Sequence, residues 1–186
     1  MKSHKTFFLE KVFLGRETDF SNQEHVISRC VKLAYRDMLA AGRYYLTNDT
    51  DARCRDFMFL LEHYNYNFSR QLIDDALTLF GDNEIIGFGN KYVTRFGLSQ
   101  KFVNMSFKNF YVCSDYINRS IDFSLCDCPL DSVIWGKLPQ TGTVWSKLTK
   151  DTYEMCQDHI ASILASFNLD DELLELGNMA FDFLNW

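Results

Sequence analysis

The chain has 186 residues, of which 47% are hydrophobic and 24% charged, ordinary globular proportions that exclude disorder. Its 19 basic and 25 acidic residues leave a net charge of −6, which argues against a protein that coats nucleic acid indiscriminately. No apolar stretch approaches bilayer length, and charges interrupt the opening MKSHKTFFLEKVF where a secretory leader needs an apolar run. The expectation is therefore a cytoplasmic protein with no membrane role. Its six scattered cysteines, Cys30, Cys54, Cys113, Cys126, Cys128 and Cys156, are then expected as free thiols.

In chain order, Asp19 and Ser21 are good caps before a periodic run from Asn22 to about Tyr45. There Val26, Cys30, Leu33, Ala34, Met38 and Ala41 recur at spacings of three and four, one apolar stripe of a helix. Gly42 and the Thr47–Thr50 cluster close it. A second helix is expected from about Ala52 to Tyr64 with Phe57, Leu60 and Leu61 inward, broken by Asn65–Asn67. A third spans about Ser69 to Phe80, with Gly81 as its cap, and Asp82–Asn90 reads as a turn or short helix. A fourth helix runs from Ser99 to about Ser114. The stretch Ile117–Pro129 is the least helical, and a short helix starts at Asp131. Thr141–Thr143 is a turn, and two helices, about Asp151–Phe167 and Asp170–Phe183, finish the chain. The fold class is all-α, with residues 1–186 in a single compact helical domain.

The charge is unevenly distributed. Residues 85–114 carry Lys91, Arg95, Lys101 and Lys108 and no acid, whereas residues 151–186 carry eight acids and no Lys or Arg. Either run can be a plain solvated face. Alternatively, the basic island touches an anion and the acidic tail meets a protein partner.

The segment Phe96–Ser99 reads as a short turn ahead of a helix, where free backbone N–H groups make a natural phosphate site. Lys101 falls in the first turn of that helix, where the dipole lowers its pKa slightly. Lys101, Asn104 and Lys108 share one polar stripe, flanked by Phe102, Met105, Phe110 and Val112. Further on, Pro129–Leu130–Asp131 precedes an apolar run, with Asp131 at the helix N-cap.

This arrangement resembles the helix-hairpin-helix superfamily of DNA base-excision glycosylases. Gly97–Leu98–Ser99–Gln100–Lys101 looks like the hairpin and its lysine, and Pro129–Leu130–Asp131 looks like the segment bearing the aspartate. The resemblance implies that the Lys101 amine attacks the sugar carbon to form a Schiff base. It implies that Asp131 stabilises developing positive charge. It also implies that DNA phosphates meet the hairpin amides at Gly97 and Ser99, helped by Lys91, Arg95, Asn104 and Lys108. Two departures stand out: Ser99 replaces a second hairpin glycine, and the interval from Lys101 to Asp131 is longer than usual. No four-cysteine run follows, so an iron–sulfur cluster is not expected, and no cofactor is. The pattern Gln100, Lys101, Asn104, Met105, Lys108 with Cys128–Asp131 is also similar to a family of bacterial and mobile-element proteins of unassigned activity.

Other signals are weaker. Cys126 and Cys128 are spaced too closely for a usual structural zinc pair and are read as buried thiols, so no metal is expected. Tyr64, Tyr66 and Phe68 interleave with amides, as in base-stacking surfaces, but are read as core anchors at a helix break. Two functions follow. One is a nucleic-acid-binding protein with glycosylase or lyase chemistry at Lys101 and Asp131. The other is a non-enzymatic acidic interaction protein of a bacterium or phage, such as an inhibitor of a nuclease or defence system.

Overall fold

The computed structural model describes residues 8–9, 13–15, 17–41, 50–80, 85–87, 90–92, 96–139 and 144–185. Helix α1 (Gln23–Ala41) starts after Asn22, whose side-chain oxygen accepts from the N–H groups of Glu24 and His25 at 3.1 and 3.2 Å. Asp19 lies three residues earlier and accepts instead from Ser21. The buried stripe is wider than the expected one: Ile27, Val31, Tyr35 and Leu39 join Val26, Cys30, Ala34 and Met38. Leu33 packs at its margin.

Helix α2 (Thr50–His63) buries Cys54, Phe57 and Leu61. It ends where Asn65 and Tyr66 take the left-handed conformation, with φ of 48° and 57°. The Tyr66 N–H then reaches the Leu61 carbonyl at 2.8 Å and satisfies the helix end. Tyr66 and Phe68 are buried, as core anchors should be. Helix α3 (Arg70–Phe80) follows Ser69, whose hydroxyl accepts from the Gln71 N–H.

The Asp82–Asn90 segment differs from expectation. Strands β1 (Ile85–Gly87) and β2 (Asn90–Tyr92) pair antiparallel, with Ile85 opposite Tyr92. Paired β-branched residues next to glycine favour a short hairpin over a helical turn. The class is all-α, with eight α-helices among the described residues and this one small ladder. The expected turns at Gly42–Asp49 and Thr141–Thr143, and the cap at Gly81, lie outside those residues.

Helix α4 (Phe96–Val112) is the axis of the fold. It packs against α1, α3 and the 3-10 turn Trp145–Lys147. Twelve of its 17 residues are buried and the other five are half-buried, so its polar side chains need internal partners. Ser106 donates to the Phe102 carbonyl at 2.8 Å, and Asn109 donates to the Cys30 carbonyl of α1 at 3.0 Å. Phe102 sits at the centre of the aromatic core, 4.4 Å from the Phe57 ring and 5.6 Å from Tyr35. Beyond α4, 3-10 turns at Ser114–Tyr116 and Phe123–Leu125 lead to an extended Cys126–Asp131 segment.

Helices α5 (Ser132–Trp135), α6 (Lys150–Leu164), α7 (Asp171–Leu174) and α8 (Met179–Leu184) complete the chain. The single helix expected over Asp170–Phe183 is split into α7 and α8. Gly177 lies between them at φ +53°, against the Ser124 carbonyl, where a Cβ has no room. The buried side chains form one hydrophobic cluster drawn from α1 to α6 and α8, with Leu173 of α7 packed half-buried against it.

Candidate functional site

The extended Cys126–Asp131 segment is held like a strand, but its neighbours are side-chain amides. Gln157 of α6 accepts from the Cys128 N–H at 3.0 Å and donates to the Cys128 carbonyl at 2.7 Å. Gln100 of α4 does the same at Leu130, accepting at 3.1 Å and donating at 2.7 Å. Each glutamine thus supplies the donor and acceptor that a neighbouring strand would offer. Asn104 donates to Gln100 at 3.2 Å, to the Tyr153 hydroxyl at 2.9 Å and to the Cys128 carbonyl at 3.4 Å. Gln100 Oε1 and the carbonyl can only accept, so the Asn104 amide orientation is fixed. Its oxygen is buried without a hydrogen-bond partner.

Asp127 joins the same network, sharing Tyr153 with Asn104 and Asn178 with Gln157. It takes both ends of an Arg70 fork at 2.8 and 3.2 Å, the Tyr153 hydroxyl at 3.0 Å and Asn178 at 3.3 Å. Burial, with the Asp127 charge beside it, pushes the Tyr153 hydroxyl well above its ordinary pKa, so it stays a neutral donor. Cys126 and Cys128 are buried thiols, both raised above the usual thiol range by burial. Among the described residues, no group of three or more His, Cys, Asp or Glu side chains is placed to hold a metal ion.

This clamp fixes where Asp131 lies. Asp131 caps α5, with Oδ1 accepting from the N–H groups of Val133 and Ile134 at 2.8 and 3.1 Å. Its other oxygen, Oδ2, lies 3.8 Å from Lys101 Nζ. The two side chains are only 14% and 9% exposed. The Lys101 ammonium also lies over the Trp145 ring, 5.3 Å from its centre. Burial lowers the Lys101 pKa, and the opposing pull of Asp131 is the smaller effect. Asp37 of α1 is within electrostatic reach of Lys101, Lys108 and Asp131, and burial raises its pKa. The two sequence-designated reactive residues are therefore brought together, beside a third carboxylate that the sequence did not single out.

The surrounding expectations fare differently. Phe96–Ser99 is not a turn between helices; it is the first turn of α4. Gly97 packs face-on against the backbone of Trp145 and Ser146, and Ser99 donates to the Ile73 carbonyl at 2.8 Å. Both are fully covered by protein, so neither presents an amide to a phosphate. With Ser99 in place of a second glycine, the helix simply begins earlier. Lys101 consequently lies in the second turn, where the dipole has faded, and desolvation is what lowers its pKa. Asn104 is 1% exposed and committed to the internal network. Lys108 is ion-paired with Asp182 and stacked on Phe183 at 5.3 Å, so its role is internal too. Lys91 belongs to β2, but its side chain, like Arg95 as a whole, lies outside the described residues.

Asp127, Tyr153, Gln157 and Trp145 were missed as site residues, and Gln100 stood out only as part of the segment leading to Lys101. Each meets its partner across a long stretch of sequence, and none of the first four forms a motif on its own. Among the described residues, no helix is long and apolar enough to cross a membrane. Comparisons with family models, curated proteins and solved structures find no match.

Proposed function

We propose that this protein processes nucleic acid by amine chemistry at Lys101, assisted by Asp131. The observation that carries the reading is the 3.8 Å approach of Lys101 Nζ to a carboxylate oxygen left over from helix capping. An amine with a lowered proton affinity beside a fixed carboxylate suits nucleophilic attack on a carbonyl carbon. The substrate class is an abasic deoxyribose in its open aldehyde form. Lys101, on giving up its proton, adds through its amine to C1′. The aldehyde oxygen collects both protons of that amine, one on addition and one carried by Asp131, and leaves as water. The resulting imine acidifies the C2′ proton, and loss of that proton expels the 3′-phosphate. With Lys108, Gly97 and Ser99 turned inward, backbone contacts fall to Lys91 and Arg95.

The likeness to helix-hairpin-helix glycosylases supports the same two residues, although the hairpin amides contribute nothing to it. Borohydride reduction in the presence of abasic-site duplex tests the reading. The expected result is a covalent protein–DNA adduct, lost in Lys101→Met and reduced in Asp131→Asn. Equal trapping by wild type and Lys101→Met removes Lys101 from the chemistry.

A further inference from the structure

The C-terminal helices leave a feature that the Lys101 chemistry does not use. Phe167, Leu169, Leu173, Phe181 and Leu184 line an open groove of about 460 Å³ between the end of α6 and the α7–α8 pair. That volume lies within the ~300–1,000 Å³ typical of occupied pockets. Its walls are not closed: Phe167 and Leu184 remain 54% and 45% exposed, and the neighbouring Leu174 is 59% exposed. Asn168, Asp170 and Asn185 add polar groups to the lining, so the groove offers a partner both apolar and polar contacts.

The charged groups that line the groove or stand exposed on the adjoining α7 have one sign. Asp170 lines the groove, and Asp171, Glu172 and Glu175 stand exposed on and just after α7. No Lys or Arg lines it, and residues 151–186 contain none. Capping accounts for one of these acids, since Asp170 accepts from the Leu173 N–H at 3.0 Å. Glu172 accepts from the Tyr111 hydroxyl at 3.2 Å, which leaves its charge uncompensated. An apolar floor with an anionic rim repels an anionic membrane surface and nucleic acid, and it complements a cationic amphipathic helix.

We infer that this groove docks a basic amphipathic helical segment of a partner protein. Apolar side chains at i, i+3/i+4 and i+7 of the segment seat on Phe167, Leu173 and Leu184. Its Lys or Arg residues face Asp170 at the lining and lie within the field of the exposed Asp171, Glu172 and Glu175 beside it. The apolar floor supplies affinity, and the rim supplies the choice of sign and the association rate.

Fluorescence anisotropy on the full chain tests this with two labelled peptides of about five helical turns. Both have the same leucine face; one has a lysine polar face, the other glutamate. The lysine peptide is expected to bind saturably and to weaken with added salt, with the glutamate peptide at least about tenfold weaker. Phe167→Ser and Leu184→Asp, both at half-exposed positions, are expected to weaken the lysine peptide about tenfold without lowering Tm. The triple change Asp171→Asn, Glu172→Gln, Glu175→Gln flattens its salt dependence. Equal binding of both peptides, or lysine-peptide binding indifferent to Phe167→Ser and Leu184→Asp, overturns the inference. So does a concentration-dependent dimer abolished by Leu184→Asp, which puts a second copy of the chain in the groove instead.

Discussion

Gly97→Ala separates the two roles this glycine can have. If Gly97 belonged to a phosphate-binding hairpin, alanine would weaken DNA binding and leave stability alone. In the fold described here Gly97 is a packing residue. A Cβ placed there overlaps the Trp145 carbonyl oxygen and stands 2.8 and 2.9 Å from the Ser146 carbonyl carbon and oxygen. Those obstacles are backbone and cannot rotate away. Helix propensity alone favours alanine by ~0.8–1.0 kcal/mol, while overpacking a tight contact costs ~1–3 kcal/mol or more. The rigid obstacle takes the upper end, for a net loss of about 1–2 kcal/mol. At ~2–4 °C per kcal/mol for a domain of this size, Tm falls by about 2–8 °C. Gly136→Ala is the control: its Cβ meets only ordinary contacts at 3.4 and 3.5 Å, and the backbone is already right-handed helical. That change is expected to be neutral or to stabilise by up to ~1 kcal/mol. Thermal unfolding followed by circular dichroism at 222 nm reads both. A Gly97→Ala protein that melts at or above wild type refutes the packing argument, and weaker DNA binding at unchanged Tm would restore the hairpin role.

Gln157→Leu strands the buried N–H of Cys128 and leaves its carbonyl only the 3.4 Å bond from Asn104. At ~1–3 kcal/mol per unsatisfied group, a loss of about 1–3 kcal/mol is expected by urea unfolding, and a loss under 1 kcal/mol contradicts the clamp. Lys101→Met leaves Asp131 and Asp37 without their shared cation and is expected to cost about 1–3 kcal/mol, whereas Asp131→Ala loses a helix cap as well and isolates Lys101, costing about 3–5 kcal/mol; the reverse order in denaturant midpoints would show that the pair is not as placed. Stability should fall above pH 9. Cys54 is pushed up to about 12 by burial, and Cys30, Cys126 and Cys128 are also raised above the ordinary 9.0. These thiols ionise first in the unfolded chain, so stability is complete below pH 9 and drains away as pH rises towards the folded values, by about 1.4 kcal/mol per unit for each thiol. An unchanged Tm between pH 8 and 10 would contradict their burial.

The sequence was most legible where a residue's role depends on its near neighbours. The α1 stripe, the break after α2 and the Asp131 cap follow from spacings of three and four and from capping chemistry. Lys101 and Asp131 were both identifiable as well, each from its own local motif. What joins them was not legible. Gln100 and Gln157 look like ordinary polar residues of two helices. Only the fold reveals that they hold the Cys126–Asp131 segment as a strand would, and so aim Asp131 at Lys101. The basic island misled for the same reason. Local counting makes Lys101, Asn104 and Lys108 an exposed stripe, but the acids that neutralise two of them, Asp131 and Asp182, come from later segments. Gly177 split the last helix because Ser124, far back in the chain, occupies the space beside it.

The most direct test of the Lys101–Asp131 account is to locate the adduct. After borohydride reduction with abasic DNA, nuclease digestion and proteolysis, mass spectrometry assigns the modified residue. The account predicts the reduced sugar fragment on Nζ of Lys101. Modification of another lysine or of the N-terminal amine, with Lys101 intact, would contradict it.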